Sequence, residues 1–126
     1  MTPEELKDRT KQFALRIMKL VDALPQSTAG WAIGKQLIRA GTAVGANYRA
    51  ACRGRSRAEF VARLGVVIEE ADECGYWMEL IMDGELMPRT QVEALHQEAH
   101  ELAAIFVASV RTTKSAISNH QPEVPT

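Results

Sequence analysis

The sequence predicts an all-α protein, an antiparallel up-down-up-down four-helix bundle. Three observations carry this. Apolar residues recur at steps of three and four along four separate stretches, and no segment shows the strand-like alternation that ends in hairpin turns. The breaks between those stretches are short and hold residues that stop or start helices, namely Pro25, Gly54, Asp83-Gly84 and Pro88. Finally, 126 residues at 46% hydrophobic and 25% charged suffice for one domain with its own core, and lie outside the range of disordered chains. Short loops between amphipathic helices make sequence neighbours antiparallel.

The first helix is expected from about Pro3 to Ala23. Thr2 and Glu5 have capping-box spacing, and a proline is tolerated in the first turn because its missing N–H would be unpaired anyway. Leu6, Phe13, Ile17, Leu20 and Leu24 share one face. The second helix is expected from Ser27 or Thr28 to about Cys52, with Ile33, Leu37, Val44 and Ala51 on its apolar face. Gly34, Gly41 and Gly45 each cost about 1 kcal/mol against alanine inside a helix. Close backbone packing is the first explanation; a kink or a bound ligand are the alternatives. No glycine-lysine-hydroxyl triplet follows a strand, so the glycines do not form a P-loop.

Ser56 and Glu59 repeat the capping-box spacing and open the third helix, which is expected to reach about Met82. Phe60, Leu64, Val67, Ala71, Cys74, Met78 and Ile81 alternate steps of four and three without a miss. Ile68 and Met82 widen that stripe on one side and Trp77 on the other, which suits a globular bundle better than a narrow zipper. The fourth helix is expected from about Thr90 to Ala116, on Val92, Leu95, Ala99, Leu102, Phe106, Ser109 and Thr113. Its last turns are more polar. Residues 1–117 are therefore assigned to the bundle domain and 118–126, with Pro122 and Pro125, to a disordered C-terminal tail.

Fifteen Lys and Arg against sixteen Asp and Glu give a net charge of −1. That total hides a segregation. From Lys35 to Arg63 seven basic residues face one acid, for +6; from Glu69 to Glu101 ten acids face Arg89 alone, for −9. Such a division points to charged surfaces that pair with each other or to a local anion-binding patch. The longest uncharged apolar stretch, Leu102 to Val110, falls far short of the roughly 20 residues a membrane span needs. Met1 to Lys11 is charged throughout, unlike a secretory leader, and two cysteines make no disulfide framework. A cytoplasmic protein is expected.

Catalytic and metal chemistry find little support. Glu93 and His96 form one Glu-x-x-His step, where a di-iron bundle needs two such steps and two further inward glutamates. His96 and His100 stand one turn apart without an evident third ligand. Cys74 lies in the core stripe and is expected to behave as a small hydrophobe. Cys52 has no evident His/Asp partnership, so no catalytic thiol is assigned. Ser56 is a cap rather than a nucleophile. The carboxylates Glu69, Glu70, Asp72 and Glu73 read as a solvated or inter-subunit face. No catalytic residue, cofactor, metal or small-molecule substrate is assigned. The candidate polyanion or nucleic-acid surface comprises Lys35, Arg39, Arg49, Arg53, Arg55 and Arg57, because arginine forks match phosphate and Tyr48 is placed to stack on a base.

The run from Gln36 to Ala51 (QLIRAGTAVGANYRAA) resembles small bacterial four-helix-bundle proteins of the ribosomal S23-like family, some encoded in intervening sequences of large-subunit ribosomal RNA genes. Ser56, Glu59-Phe60, Leu64, the stretch from Glu70 to Glu73 and the stretch from Tyr76 to Leu80 extend the resemblance, which covers about Phe13 to Phe106. It implies a bundle that assembles into a ring-like homopentamer, with no catalytic residues to carry over. Asn47, Tyr48, Arg49, Glu70, Glu73 and Trp77 become candidate structural or interface positions. A related branch, the accessory proteins of diversity-generating retroelements, binds nucleic acid and a reverse transcriptase. That branch is markedly basic, and this chain is not. Glu69 also departs from the family's frequent lysine. The expected function is a non-enzymatic, homo-oligomeric scaffold or adaptor, with nucleic-acid binding through the arginine cluster as the alternative.

Overall fold

A computed structural model describes residues 1–120, with side chains to Ser118. Four helices make up the fold: α1 (Pro3–Asp22), α2 (Thr28–Cys52), α3 (Arg57–Asp83) and α4 (Glu93–His120), with one 3-10 turn at Arg89–Gln91 before α4. Each of α1 to α3 packs on the next, and a narrower α1–α4 seam closes the bundle. The α1–α2 pair therefore forms one side of the molecule and the α3–α4 pair the opposite side. No described helix is long and apolar enough to cross a membrane.

Three helices start on a hydroxyl that accepts an otherwise unpaired backbone N–H. Thr2 Oγ1 accepts from Glu5 N at 3.1 Å, Ser27 Oγ from Gly30 N at 3.0 Å and Ser56 Oγ from Glu59 N at 3.1 Å. Each such cap contributes about 1 kcal/mol. Glu59 completes its box one residue early, its Oε2 accepting from Arg55 N rather than from the cap residue.

The apolar stripes meet in one core. Phe13, Ile17, Leu37, Val44, Leu64, Val67, Met78, Ile81, Leu102 and Phe106 are inaccessible or nearly so. The seven-residue gap between Leu6 and Phe13 is filled by Thr10, which is fully buried; its hydroxyl donates to Leu6 O at 2.8 Å and so needs no partner across the core. The glycines of α2 serve close packing. A Cβ on Gly41 would stand 2.7 Å from Ile17 Cγ2, one on Gly45 3.1 Å from Thr10 Oγ1, and one on Gly34 3.2 Å from Val21 Cγ1. α2 runs as one helix of 25 residues through all three.

One turn takes an unusual residue, and one boundary differs from expectation. The turn after α3 places its left-handed residue not at Gly84, whose φ is −81°, but at Glu85, whose φ is 57°. Leu86 N donates to Ile81 O and Glu85 N to Met82 O, the paired bonds of a Schellman motif. A side chain at that position is strained by roughly 1 kcal/mol. Glu85→Gly is therefore expected to raise stability by about 0.5–1 kcal/mol, read as a higher urea midpoint; an unchanged or lower midpoint would count against the assignment. At the other end, α4 continues to His120, past Ala116 and past the start of the expected tail at 118. Thr113 Oγ1 donates to Ser109 O at 2.8 Å and Ser109 Oγ to Ile105 O at 3.1 Å, so the polar residues of the stripe satisfy themselves on their own helix. The rest of that expected tail, residues 121–126, lies outside the described residues.

Candidate charged and polyanion-binding surfaces

The basic stretch and the acidic stretch meet first inside the subunit. Arg39, exposed on α2, reaches across to α3, with Nη2 2.6 Å from Glu73 Oε2 and Nη1 3.3 Å from Glu70 Oε2. Trp77 Nε1 donates to the other oxygen of Glu73 at 3.2 Å. The hydrogen bond from Arg39 holds the Glu73 carboxyl below its usual range, and Glu73 in turn raises the Arg39 guanidinium. Arg39, Glu70, Glu73 and Trp77 thus form one latch between α2 and α3. Arg39 is already engaged, which separates it from the other residues grouped with it as a polyanion surface.

A second latch closes the α1–α4 seam. Arg9 donates from Nε to Glu98 Oε2 at 2.8 Å and from Nη2 to Glu98 Oε1 at 2.6 Å, with Glu101 3.5 Å away. This fork is the geometry in which arginine binds carboxylate best. The Arg9 hydrogen bond lowers the Glu98 pKa against a smaller opposing effect of burial. Sequence reasoning missed the pair. Its signal was positional: Arg9 precedes Thr10 and Glu98 precedes Ala99, so both flank core stripes that must face each other.

Both lowered carboxylates give stability that is fully present above their ordinary pKa of 4.5 and is lost as pH falls through the lower folded value. The thermal midpoint should therefore hold steady from neutral pH to about 5 and fall below that. Glu98→Gln is expected to lose about 1–2 kcal/mol at pH 7 and to show a shallower acid decline than the parent. Parallel acid profiles for the two proteins would contradict the latch.

The remaining sites separate clearly. Lys35, Arg49, Arg53, Arg55 and Arg57 are exposed, and among the described residues none forms an ion pair. Arg53 caps the end of α2, and Arg57 opens α3. A groove of about 610 Å³ at this end is lined by Lys7, Cys52, Arg55, Arg57 and Phe60. Tyr48 is not free to stack on a base. It is 3% exposed, and its ring lies 5.2 Å from that of Phe106 at 42°. Burial, then the Cys52 thiol beside it, push its phenol well above the ordinary pKa. Its i, i+4 spacing to Val44 on the core face was the available sign of burial. Asn47 is half-buried and donates to Ala43 O at 2.9 Å on its own helix. Cys74 is buried and its thiol is pushed up to about 12, as suits a small core hydrophobe.

The α3–α4 side carries the other chemical residues. His96 Nε2 lies 3.6 Å from Glu79 Oε1, and both line a groove with Asp72, Tyr76 and His100. Among the described residues no three His, Cys, Asp or Glu side chains converge as a metal site would require.

Most of the fold and the α2–α3 latch fall within the region matched by one family. The profile of the 23S rRNA-intervening sequence proteins covers residues 5–108. The chain belongs to that family. A solved relative from Bacteroides thetaiotaomicron, described as a protein of unknown function from the S23 ribosomal protein family, is 32% identical. It superposes with a TM-score of 0.81 over 88% of this chain and 99% of its own. No curated protein matches. The matched segment takes in both latches and the whole glycine seam, and ends just past Phe106.

Proposed function

We propose that this protein is a non-catalytic cytoplasmic assembly module, which self-associates into a homo-oligomeric ring of five copies and acts as a scaffold or adaptor. One observation carries the reading. Large apolar side chains stand exposed on two opposite sides of the bundle: Trp31 at 70%, Met18 at 44% and Leu15 at 42% on α1 and α2, and Tyr76 at 53% and Val107 at 36% on α3 and α4. Apolar side chains gathered on a surface mark places where proteins meet. Light scattering coupled to gel filtration, at micromolar protein and modest salt, should give a mass near five times that of the chain. A monomer throughout would end this reading.

A second reading rests on a different feature. The unpaired arginines Arg49, Arg53, Arg55 and Arg57 gather around the α2–α3 turn, where phosphates could replace solvent. Fluorescence anisotropy against single-stranded RNA and duplex DNA at low salt tests it. Binding that weakens steeply with salt, and weakens further in Arg53→Ala/Arg55→Ala, supports it. No binding at low salt removes it.

A further inference from the structure

The unpaired arginines at the α2–α3 turn border a groove whose other walls are apolar. Arg49 and Arg53 are one turn apart and share an outward strip at the end of α2. The neighbouring strip, with Tyr48, Ala51 and Cys52, lines the groove of about 610 Å³, together with Phe60 and the exposed Arg55 and Arg57. That volume lies within the roughly 300–1,000 Å³ usual for ligand clefts.

The acids closest in sequence to this groove are already committed. Glu4 Oε1 lies 3.2 Å from Lys7 Nζ, and Glu59 Oε2 accepts from the backbone N of Arg55 at 3.1 Å, leaving that guanidinium free. Among the described residues Arg49, Arg53, Arg55 and Arg57 form no ion pair. Four free arginine forks in a row suit a chain of phosphates better than a single anionic head group. The two aromatic rings of the groove differ in availability. Tyr48 is buried against Phe106. Phe60 is half-buried: part of it packs on the core, and the groove takes in the rest. A ring anchored in that way is a platform on which a flat, apolar group can stack at little further cost in side-chain entropy.

Resting on the polyanion reading above, we infer that the strand bound here is single: one unstacked base enters the groove and stacks on Phe60, while the arginines hold the phosphates beside it. A duplex keeps its bases stacked and paired, so it offers the arginines its backbone but leaves the groove empty. Charge alone favours the duplex, which carries the denser phosphates. A preference for the single strand is therefore a sign of base contact. Stacking on an aromatic ring is tolerant of sequence, because every base has a π-face.

Fluorescence anisotropy of the full chain at low salt tests this with three probes: an unstructured single-stranded RNA, the same strand annealed to its complement, and an abasic strand of equal length. The intact single strand is expected to bind roughly tenfold more tightly than either of the others. Phe60→Ala is expected to remove that advantage and to leave binding of the duplex and the abasic strand unchanged. Phe60→Leu keeps apolar volume without the ring, and carries the same test if Phe60→Ala loses helical circular dichroism; Phe60→Trp should retain the preference. Equal binding of single strand and duplex, or a Phe60→Leu variant that binds like the parent, would overturn the base contact while leaving the polyanion reading standing. So would an equal loss on all three probes, which would mean that Phe60 only positions the arginines. Displacement of the RNA by polyglutamate as readily as by unlabelled single strand would show that charge alone is read, and would overturn it too. A parent that binds none of the three probes would overturn both readings together.

Discussion

Truncating Phe106 to alanine is expected to cost about 3–5 kcal/mol and to lower the thermal midpoint by roughly 15 °C at the scale usual for a domain of this size. Phe106 is fully buried on α4 and belongs to the single core cluster. Its ring makes the tilted contact with Tyr48 that ties α4 to the end of α2. The substitution removes the side chain's burial, leaves a cavity, and takes away an aromatic pair worth about 0.5–1.5 kcal/mol beyond its area. Urea unfolding followed by circular dichroism measures the loss. A change below 1 kcal/mol would mean that the α2–α4 contact is not the core feature described here.

Gly41→Val is expected to destabilise by about 3 kcal/mol, at the upper end of what overpacking usually costs. Helix propensity alone favours the opposite outcome, since glycine is the weaker helix former. Packing decides the sign. The first added atom would lie 2.7, 2.8 and 3.0 Å from Cγ2, Cγ1 and Cβ of Ile17, a fully buried, stiff, β-branched side chain held close to its own backbone. It cannot swing aside, so α1 and α2 must separate. Combining Gly41→Val with Ile17→Ala should recover part of the loss, and the double-mutant cycle measures the coupling directly. Strict additivity of the two changes would refute a direct contact.

These two residues also show how far the sequence could be read. Phe106 was legible, because α4 repeats its apolar step through Val92, Leu95, Ala99 and Leu102 to reach it. Gly41 was legible only as an anomaly. Its cost in a helix called for an explanation, and the choice among close packing, a kink and a ligand depended on what stood opposite. Thr10 was hidden because a hydroxyl does not register in an apolar stripe, although one turn of backbone is enough to satisfy it. Tyr48 was assigned to a surface role on the strength of its neighbours Arg49 and Arg53, and its burial corrected that.

The charged residues mark the limit more sharply. Segregation into +6 and −9 stretches was plain in the chain, but not which charges neutralise each other. Arg39 turns to Glu70 and Glu73, Arg9 reaches Glu98 from 89 residues away, and the arginines around the α2–α3 turn keep none of the acids. Sequence proximity does not govern these pairings; the rotation of each helix about its axis does.

By itself the sequence determined the four helices, the caps at Thr2 and Ser56, the antiparallel order and most of the core. These depend on local spacing and short loops, which the chain states outright. Only the tertiary structure decided that the α2 glycines admit Ile17 and Thr10, that Glu85 rather than Gly84 takes the left-handed turn, and which charges are spent inside the subunit. Each of these depends on what an element faces across space, and the period of a helix fixes which residues share a face without saying what stands in front of it.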